Sequence, residues 1–166
     1  MLSIVPALEW LEALAWTTAI RESAWGYPII ETAHVASIVA FAGLVIMMDL
    51  RLVGLAFTHA PLMQIQRGLF PWQMAALVPS TATGVLLCVA DPLRYYGNVF
   101  FRVKLVLLAL AGVNALVFHL MAYRTDGRWD EHPQVVAGAW RAGAVSLVLW
   151  SAIIVSGRLI AFSWFF

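Results

Sequence analysis

Charged residues are scarce in this chain. Asp, Glu, Lys and Arg make up 11% of its 166 residues and hydrophobic residues make up 63%, whereas soluble domains have about 25% charged and roughly 45–50% apolar residues. A water-soluble fold of this size could not bury so much apolar surface, so we expect lipid to solvate part of it. The ten Lys and Arg residues are scattered and the net charge is only +1, which argues against a nucleic-acid partner.

Cysteine is almost absent as well. The one cysteine, Cys88, lies inside an apolar run, which excludes an intrachain disulfide and any multi-cysteine zinc or iron–sulfur site. Residues 1–6 lack the positive stretch and small-residue cleavage site of a secretory signal, so we expect no cleaved leader. The sequence also lacks a Ser–His–Asp grouping at compatible depth, a glycine-rich phosphate loop and a paired-histidine metalloprotease motif, and these absences weigh against catalysis.

Long apolar segments dominate what is present. Four of them reach the ~20 helical residues that cross a hydrocarbon layer, and helices are the only open structure that pairs every amide in lipid. The predicted spans are residues 27–57, 70–90, 99–123 and 136–162. Their connections are short, including the turn at residues 125–127, so sequential helices should be antiparallel. The sequence therefore predicts an all-α fold, an integral membrane up-down four-helix bundle in one transmembrane domain, 1–166, of a multi-pass inner-membrane protein.

A shorter amphipathic segment precedes these spans. Residues 6–20 place Glu9 and Glu12 on one side of a helix, with leucines on the other. The segment is short and acidic for a span, and Trp10 and Trp16 suit the headgroup zone. We therefore expect an N-terminal interfacial helix.

The polar residues of the spans fall into two layers when depth is counted at about 1.5 Å per residue. His34 lies in the layer on the N-terminal side, and His119 lies on the other side, roughly 20 Å away along the membrane normal. These two histidines cannot ligate one haem together within one chain. Ionisable groups at membrane depth need partners, so we predict ion pairs Glu31–Arg158 in the first layer and Asp49–Arg141 in the second, which would fix the register of the first span against the fourth.

His119 follows small residues along one face of the third span, so it should point into a helix contact. One interpretation is a neutral imidazole bonded to a carbonyl or hydroxyl of a neighbouring helix. The other rests on five of the six methionines falling in the same layer, because thioethers and imidazole suit Cu(I) or the iron of a b-type haem. Met47 and Met74 are the candidate soft partners of His119, although methionine is also a common core residue.

His34 has Glu31 one helical turn before it, as expected of a carboxylate that orients a metal-bound or haem-bound imidazole. The alternative is a His–Glu hydrogen bond that only joins helices. The spacing by itself leaves both readings open.

Four stretches of the sequence carry a resemblance to a known family: residues 22–34 (ESAWGYPIIETAH), 49–57 (DLRLVGLAF), 98–119 (NVFFRVKLVLLALAGVNALVFH) and 156–162 (SGRLIAF). Together they resemble a family of small bacterial inner-membrane proteins of unknown function. More distantly, the first span is similar to the first helix of the copper-resistance D type and of the haem-containing J-type protoporphyrinogen oxidases. That likeness implies roles for His34, Gly43 and Arg51.

These observations lead to one functional hypothesis and one rival. The hypothesis is a membrane protein that binds haem b or copper through His34 and His119 and acts in electron transfer or metal handling. Arg141 and Arg158 would then pair with the carboxylates or with haem propionates. The rival is a cofactor-free accessory subunit that forms a homo-oligomer or packs against a larger membrane complex.

Overall fold

Helices account for all the regular structure that the computed structural model describes, which covers residues 4–123 and 133–162. The elements are α1 (Val5–Glu12), α2 (Ala15–Glu22), α3 (Gly26–Leu52), α4 (Leu62–Ala90), α5 (Pro92–Gly97), α6 (Val99–Tyr123) and α7 (Pro133–Phe162). Within these ranges there is no strand. The turn predicted at residues 125–127 lies outside the described residues.

Four of the helices, α3, α4, α6 and α7, are long and apolar enough to cross a membrane. In their most apolar stretches, only 6% of the residues of α3 and α6 and 22% of those of α4 and α7 are buried inside the protein. Most of the apolar surface of this fold therefore faces outward, as expected for helices that lipid or other apolar partners surround.

The long helices pack in the order α4, α3, α7, α6. The amide of Gln73 on α4 donates to the Leu44 carbonyl of α3 at 3.2 Å, and the amide of Asn114 on α6 donates to the Ala142 carbonyl of α7 at 2.9 Å. Between α3 and α7, Phe41 meets Trp150 edge-on with ring centroids 5.2 Å apart. Sequential helices are antiparallel, as the short connections predict.

Buried apolar side chains form two clusters at different heights. The first joins Met48, Leu62, Phe118 and Ala139, so all four long helices meet there. The second joins Ala42, Trp150 and Ile153, with partly buried leucines of α6 packed against them. The first cluster lies at the end of the fold where α3 finishes, and the second lies nearer the middle.

The end of α3 differs from the prediction, which extended this helix to residue 57. The helix stops at Leu52 because Gly54 adopts a left-handed conformation with a φ of +78°. The Leu55 amide then bonds the Leu50 carbonyl at 2.9 Å, and the Gly54 amide bonds the Arg51 carbonyl at 3.1 Å. This pair of bonds is a Schellman motif, which satisfies the last carbonyls of a helix and ends it.

Other boundaries differ too. The second span was predicted to begin at residue 70, but α4 begins at Leu62 and continues through Pro71 and Pro79. Leu62 is buried against Met48 and Phe118, so packing extends the helix through sequence that reads as a loop. The prediction for the third span matches α6, and α7 begins three residues before the predicted 136.

The predicted single N-terminal helix is two helices, α1 and α2, with an extended residue, Leu14, between them. The Thr17 hydroxyl is fully buried at this corner and donates to backbone carbonyls, the closest being Leu14 at 2.7 Å. The Arg21 guanidinium links Glu12 at 3.2 Å to the Ala90 carbonyl at 3.3 Å. The two helices thus close over the end of α4, beside α5.

Tyr95 of α5 provides a test of this end of the fold. Its hydroxyl lies 3.0 Å from that of Tyr27, and burial, followed by this hydrogen bond, raises the pKa of Tyr95. Because the folded chain holds this proton more tightly than the unfolded chain, the stabilisation is complete below the ordinary tyrosine pKa of about 10 and is lost as the pH rises above it. We expect the free energy of unfolding of the wild type to fall above that pH more steeply than that of Tyr95→Phe, measured by denaturant titration in detergent; parallel curves would contradict this.

Candidate functional site

His34 is anchored to the neighbouring helix. Its Nδ1 atom lies 3.0 Å from the Ser80 carbonyl and 3.1 Å from the Thr83 hydroxyl, both on α4. A carbonyl oxygen can only accept, so the neutral ring must carry its proton on Nδ1. The Thr83 hydroxyl donates its own proton to the Pro79 carbonyl at 2.6 Å and is free to accept from Nδ1. The Nε2 atom of His34 therefore keeps its lone pair.

A glycine makes this contact possible. A Cβ atom at Gly84 would lie 3.0 Å from Cε1 of His34 and 3.4 Å from Nδ1, closer than ordinary van der Waals contact. With hydrogen in place of that methyl group, the imidazole lies directly against the backbone of α4. The ring is half-buried, so it is fixed at one nitrogen and still accessible.

Two charged groups lie within electrostatic range of His34: the ammonium of Lys104 on α6 and the carboxylate of Glu31. Lys104 is partly buried and approaches α7, where its Nζ atom would lie 3.6 Å from a Cβ atom at Gly157. Among the described residues no carboxylate forms an ion pair with Lys104. One end of the fold therefore brings an imidazole and an ammonium together from α3 and α6.

The prediction that Glu31 orients His34 is wrong in detail. Glu31 is exposed and acts on the imidazole through space, whereas Ser80 and Thr83 make the hydrogen bonds. Sequence reasoning missed both residues, together with Gly84 as the contact surface. The available signal was the small polar run Ser80, Thr81 and Thr83 ahead of a glycine in an otherwise apolar helix.

Neither predicted ion pair forms. In the described parts of the chain, ion pairs join Arg21 to Glu12 and Arg94 to Asp91, both near α5, and involve neither Glu31 nor Asp49. The Arg158 guanidinium lies over the Phe162 ring at 4.8 Å instead of reaching Glu31. Both predictions fail for the same reason. Counting helical turns gives the depth of a residue, but it does not show which neighbouring helix its side chain faces.

Asp49 occupies a different environment from the predicted one. It is 96% buried, with 4% of its surface exposed, and it lies beside the Ser146 hydroxyl of α7. Its Oδ2 atom has no hydrogen-bond partner, and the predicted partner Arg141 is exposed. The register of α3 against α7 is set here by close packing, since a Cβ atom at Gly143 would lie 2.7 Å from that of Leu52.

His119 lies at the opposite end of the fold from His34. It is fifteen residues beyond Lys104 on α6, about 22 Å along the axis at ~1.5 Å per residue, so the two-layer arrangement holds. Its Nδ1 donates to the Ala115 carbonyl of its own helix at 2.8 Å, not to a neighbouring helix as predicted. The ring packs edge-on against Phe118 at 5.7 Å.

The methionines near this level act as core residues. Met48 and Met63, not the predicted Met47 and Met74, pack in the cluster that contains Phe118. Met47 is 38% exposed. Binding of a metal or haem by His119 together with Met47 or Met74 stays a prediction.

A metal ion held by protein groups alone needs several side chains that converge on one point. Across residues 4–123 and 133–162, no group of three or more His, Cys, Asp or Glu side chains is close enough to hold a metal ion. Cys88 is a free, half-buried thiol. The described residues therefore give no support to a copper site made of protein ligands alone.

A match to a known protein family covers most of the chain. Residues 16–163 match the family described as "Family of unknown function (DUF6644)". The chain belongs to this family. The match spans α2 to α7 and is consistent with the predicted membership of a family of unknown function, while the remoter likeness to copper-resistance and haem-oxidase proteins stays a prediction. No curated protein and no solved structure matches the chain.

Proposed function

We propose that this chain is a four-helix membrane protein of the bacterial inner membrane, with α3, α4, α6 and α7 as its spans. Support comes from the length, apolar character and outward-facing surfaces of those helices. We place α1 and α2 in the headgroup region on the His34 side, because Trp10, Trp16 and Trp25 are exposed there by 66%, 47% and 78%. Exposed tryptophans concentrate at membrane–water interfaces.

Within this fold, we propose that His34 binds a b-type haem through Nε2 and that the protein acts in electron transfer. The observation that carries the proposal is the Nδ1–H donated to the Ser80 carbonyl at 3.0 Å. Metal-ligating histidines almost always donate their second ring nitrogen to a carbonyl or carboxylate, which fixes the tautomer and aims the ligating lone pair. Haem would suit this site better than a bare copper ion, because it would need only the one imidazole that His34 offers, and the described residues gather no group of three or more His, Cys, Asp or Glu side chains that could hold a metal ion.

Lys104 adds to this proposal. A haem carries two propionate carboxylates, and burying a carboxylate requires a charge or hydrogen-bond partner. The Lys104 ammonium lies within electrostatic range of His34 and has no carboxylate partner among the described residues. Arg158, near the end of α7 at the same side of the fold, is a second cation available to a propionate.

The absorption spectrum of the purified protein tests the assignment. We expect a Soret band and a reduced-minus-oxidised spectrum of b type in the wild type, and loss of both in His34→Ala. His59→Ala is the matched control, because His59 is an exposed loop histidine. Retention of full haem content by His34→Ala, or a wild type without haem after expression with haem supplied, would overturn the proposal.

The same spectra show whether His119 also binds haem. If each layer holds one haem, His119→Ala removes half of the bound haem. If His34 is the sole axial ligand, His119→Ala keeps all of it. His119 also donates its Nδ1–H to a backbone carbonyl, at 2.8 Å, so the haem content of His119→Ala decides between the two results.

A cofactor-free accessory subunit is the second candidate. The outward surface of α6 favours it, since only 6% of its most apolar stretch is buried and another copy or a larger membrane complex could cover it. Under this reading the His34 bond serves only to join α3 to α4. A haem-free wild type that purifies from native membranes as a stable oligomer or complex would support this candidate over the first.

A further inference from the structure

Asp49 is a second chemically distinctive position, remote from His34. Its side chain is 96% buried between α3 and α7, with 4% exposed. Its Oδ2 atom has neither solvent nor a hydrogen-bond partner, and the Ser146 hydroxyl of α7 lies beside the carboxyl group. An ionised carboxylate has about four acceptor positions to satisfy, and this environment fills few of them.

Among the described residues, no cation forms an ion pair with the carboxyl group. Arg51 is two residues away on α3, about 200° around the helix at ~100° per residue, and its guanidinium donates to the Ala60 carbonyl at 2.9 Å. On the described elements that pack around this end, the charged or titratable residues are Arg67 of α4, His119 and Tyr123 of α6 and Arg141 of α7, with His59 in the connection after α3. Arg67, Arg141 and His59 are exposed, and His119 bonds Ala115 of its own helix.

The other described neighbours of Asp49 are apolar. Met48 and Leu52, on either side of Asp49 along α3, belong to the cluster with Leu62 and Phe118. On the α7 side, a Cβ atom at Gly143 would lie only 3.1 Å from the Asp49 backbone carbonyl, so the two helices leave no space for a counter-ion with a hydration shell. Burying an isolated carboxylate in such surroundings is far more costly than burying the neutral acid.

From this geometry we propose that Asp49 is a proton-binding site within the membrane domain. In the packed form the carboxyl group holds a proton, so this group and the Ser146 hydroxyl can form a hydrogen bond. Loss of the proton leaves a carboxylate that needs water or a cation, and either one requires α3 to separate from α7 at the Leu52–Gly143 contact. Proton release and helix separation are therefore linked at this site.

The site exchanges its proton with one side of the membrane. Asp49 is three residues before the end of α3 at Leu52, about 5 Å along the axis at ~1.5 Å per residue. The connection from residue 53 to residue 61 follows directly. The proton therefore enters and leaves on the side of that connection, opposite the side of His34, and the site does not depend on haem.

Labelling with dicyclohexylcarbodiimide tests the proposal, because this apolar reagent reacts with protonated carboxyl groups in apolar surroundings. The acid transfers its proton to a carbodiimide nitrogen, its oxygen adds to the central carbon, and the adduct rearranges to a stable N-acylurea with no leaving group. In the full-length protein in detergent we expect peptide mass spectrometry to find the adduct on Asp49 at neutral pH, with labelling reduced at least tenfold at alkaline pH. Exposed Glu22 is the internal control and should stay unlabelled.

Variants make the outcome decisive. Asp49→Asn, which imitates the neutral acid, should fold and show no adduct at this position, and His34→Ala should label as the wild type does, so failure of the haem proposal would leave this result intact. Infrared spectra should show the carbonyl stretch of a protonated carboxylic acid in the wild type and not in Asp49→Asn. An unlabelled Asp49 without that stretch at neutral pH would overturn the proposal. If sodium, but not choline, protected Asp49 from labelling at constant pH, the site would bind a sodium ion instead of a proton, and the proposal would equally be overturned.

Discussion

Replacing Gly143 by alanine is expected to lower the free energy of unfolding by about 1–3 kcal/mol, the usual effect of overpacking a closely fitted contact. The added Cβ atom would lie 2.7 Å from Cβ of Leu52 and 3.1 Å from the backbone carbonyl of Asp49. Neither atom is the end of a flexible side chain, so α7 has to move away from α3. Thermal or denaturant unfolding in one detergent, compared with the wild type, measures the loss.

Gly112 of α6 provides the matched control. A Cβ atom there would meet nothing within 4 Å, and alanine is favoured over glycine inside a helix by about 1 kcal/mol. We expect Gly112→Ala to be neutral or slightly stabilising. Equal destabilisation by both substitutions would show that the effect does not arise at the α3–α7 contact, and an unaffected Gly143→Ala would mean that the helices are not so closely packed.

The long helices could be predicted from the sequence, but several of their ends could not. Apolar runs fix the existence of a helix that can cross a membrane, because length and hydrophobicity suffice. The end of α3 depends on Gly54 adopting a left-handed conformation, and the start of α4 depends on Leu62 packing against Met48 and Phe118. Pro71 reads as a boundary in sequence, yet tertiary packing carries the helix through it, as happens in helices whose neighbours compensate the lost hydrogen bond.

For the candidate site, the sequence predicted the depth of the residues but not their partners on other helices. Counting residues along the helices placed His34 and His119 in opposite layers, because rise per residue is a property of the helix alone. The partner that a side chain meets on another helix depends on how the two helices pack and rotate against each other. The spacing of residues within one helix carries no information on either. For that reason the sequence predicts Arg158 as the partner of Glu31 and Arg141 as the partner of Asp49. In the structure His34 bonds the Ser80 carbonyl, and Asp49 lies beside the Ser146 hydroxyl.

The second large effect is expected at Gly84, where leucine should expel the His34 ring from its contact with α4. Even a Cβ atom would lie 3.0 Å from Cε1 of the ring, and the rest of a leucine side chain adds bulk in the same direction. The bonds from Nδ1 to the Ser80 carbonyl and the Thr83 hydroxyl would then be lost. Nitrogen-15 chemical shifts of His34 should change from those of a ring protonated at Nδ1 to those of a mixture of tautomers.

Gly68→Leu is the control on the same helix, because a Cβ atom at Gly68 would meet nothing within 4 Å, and it should leave the His34 spectrum unchanged. Thr83→Val should have a smaller effect than Gly84→Leu, because the Ser80 carbonyl still accepts from Nδ1 at 3.0 Å. If His34 ligates haem, the lost support should lower haem affinity by about 10–100-fold, as when the hydrogen-bond partner of a ligating histidine is removed. An unchanged tautomer in Gly84→Leu would instead mean that the ring is held from another direction, and the lone pair on Nε2 would no longer be aimed by α4.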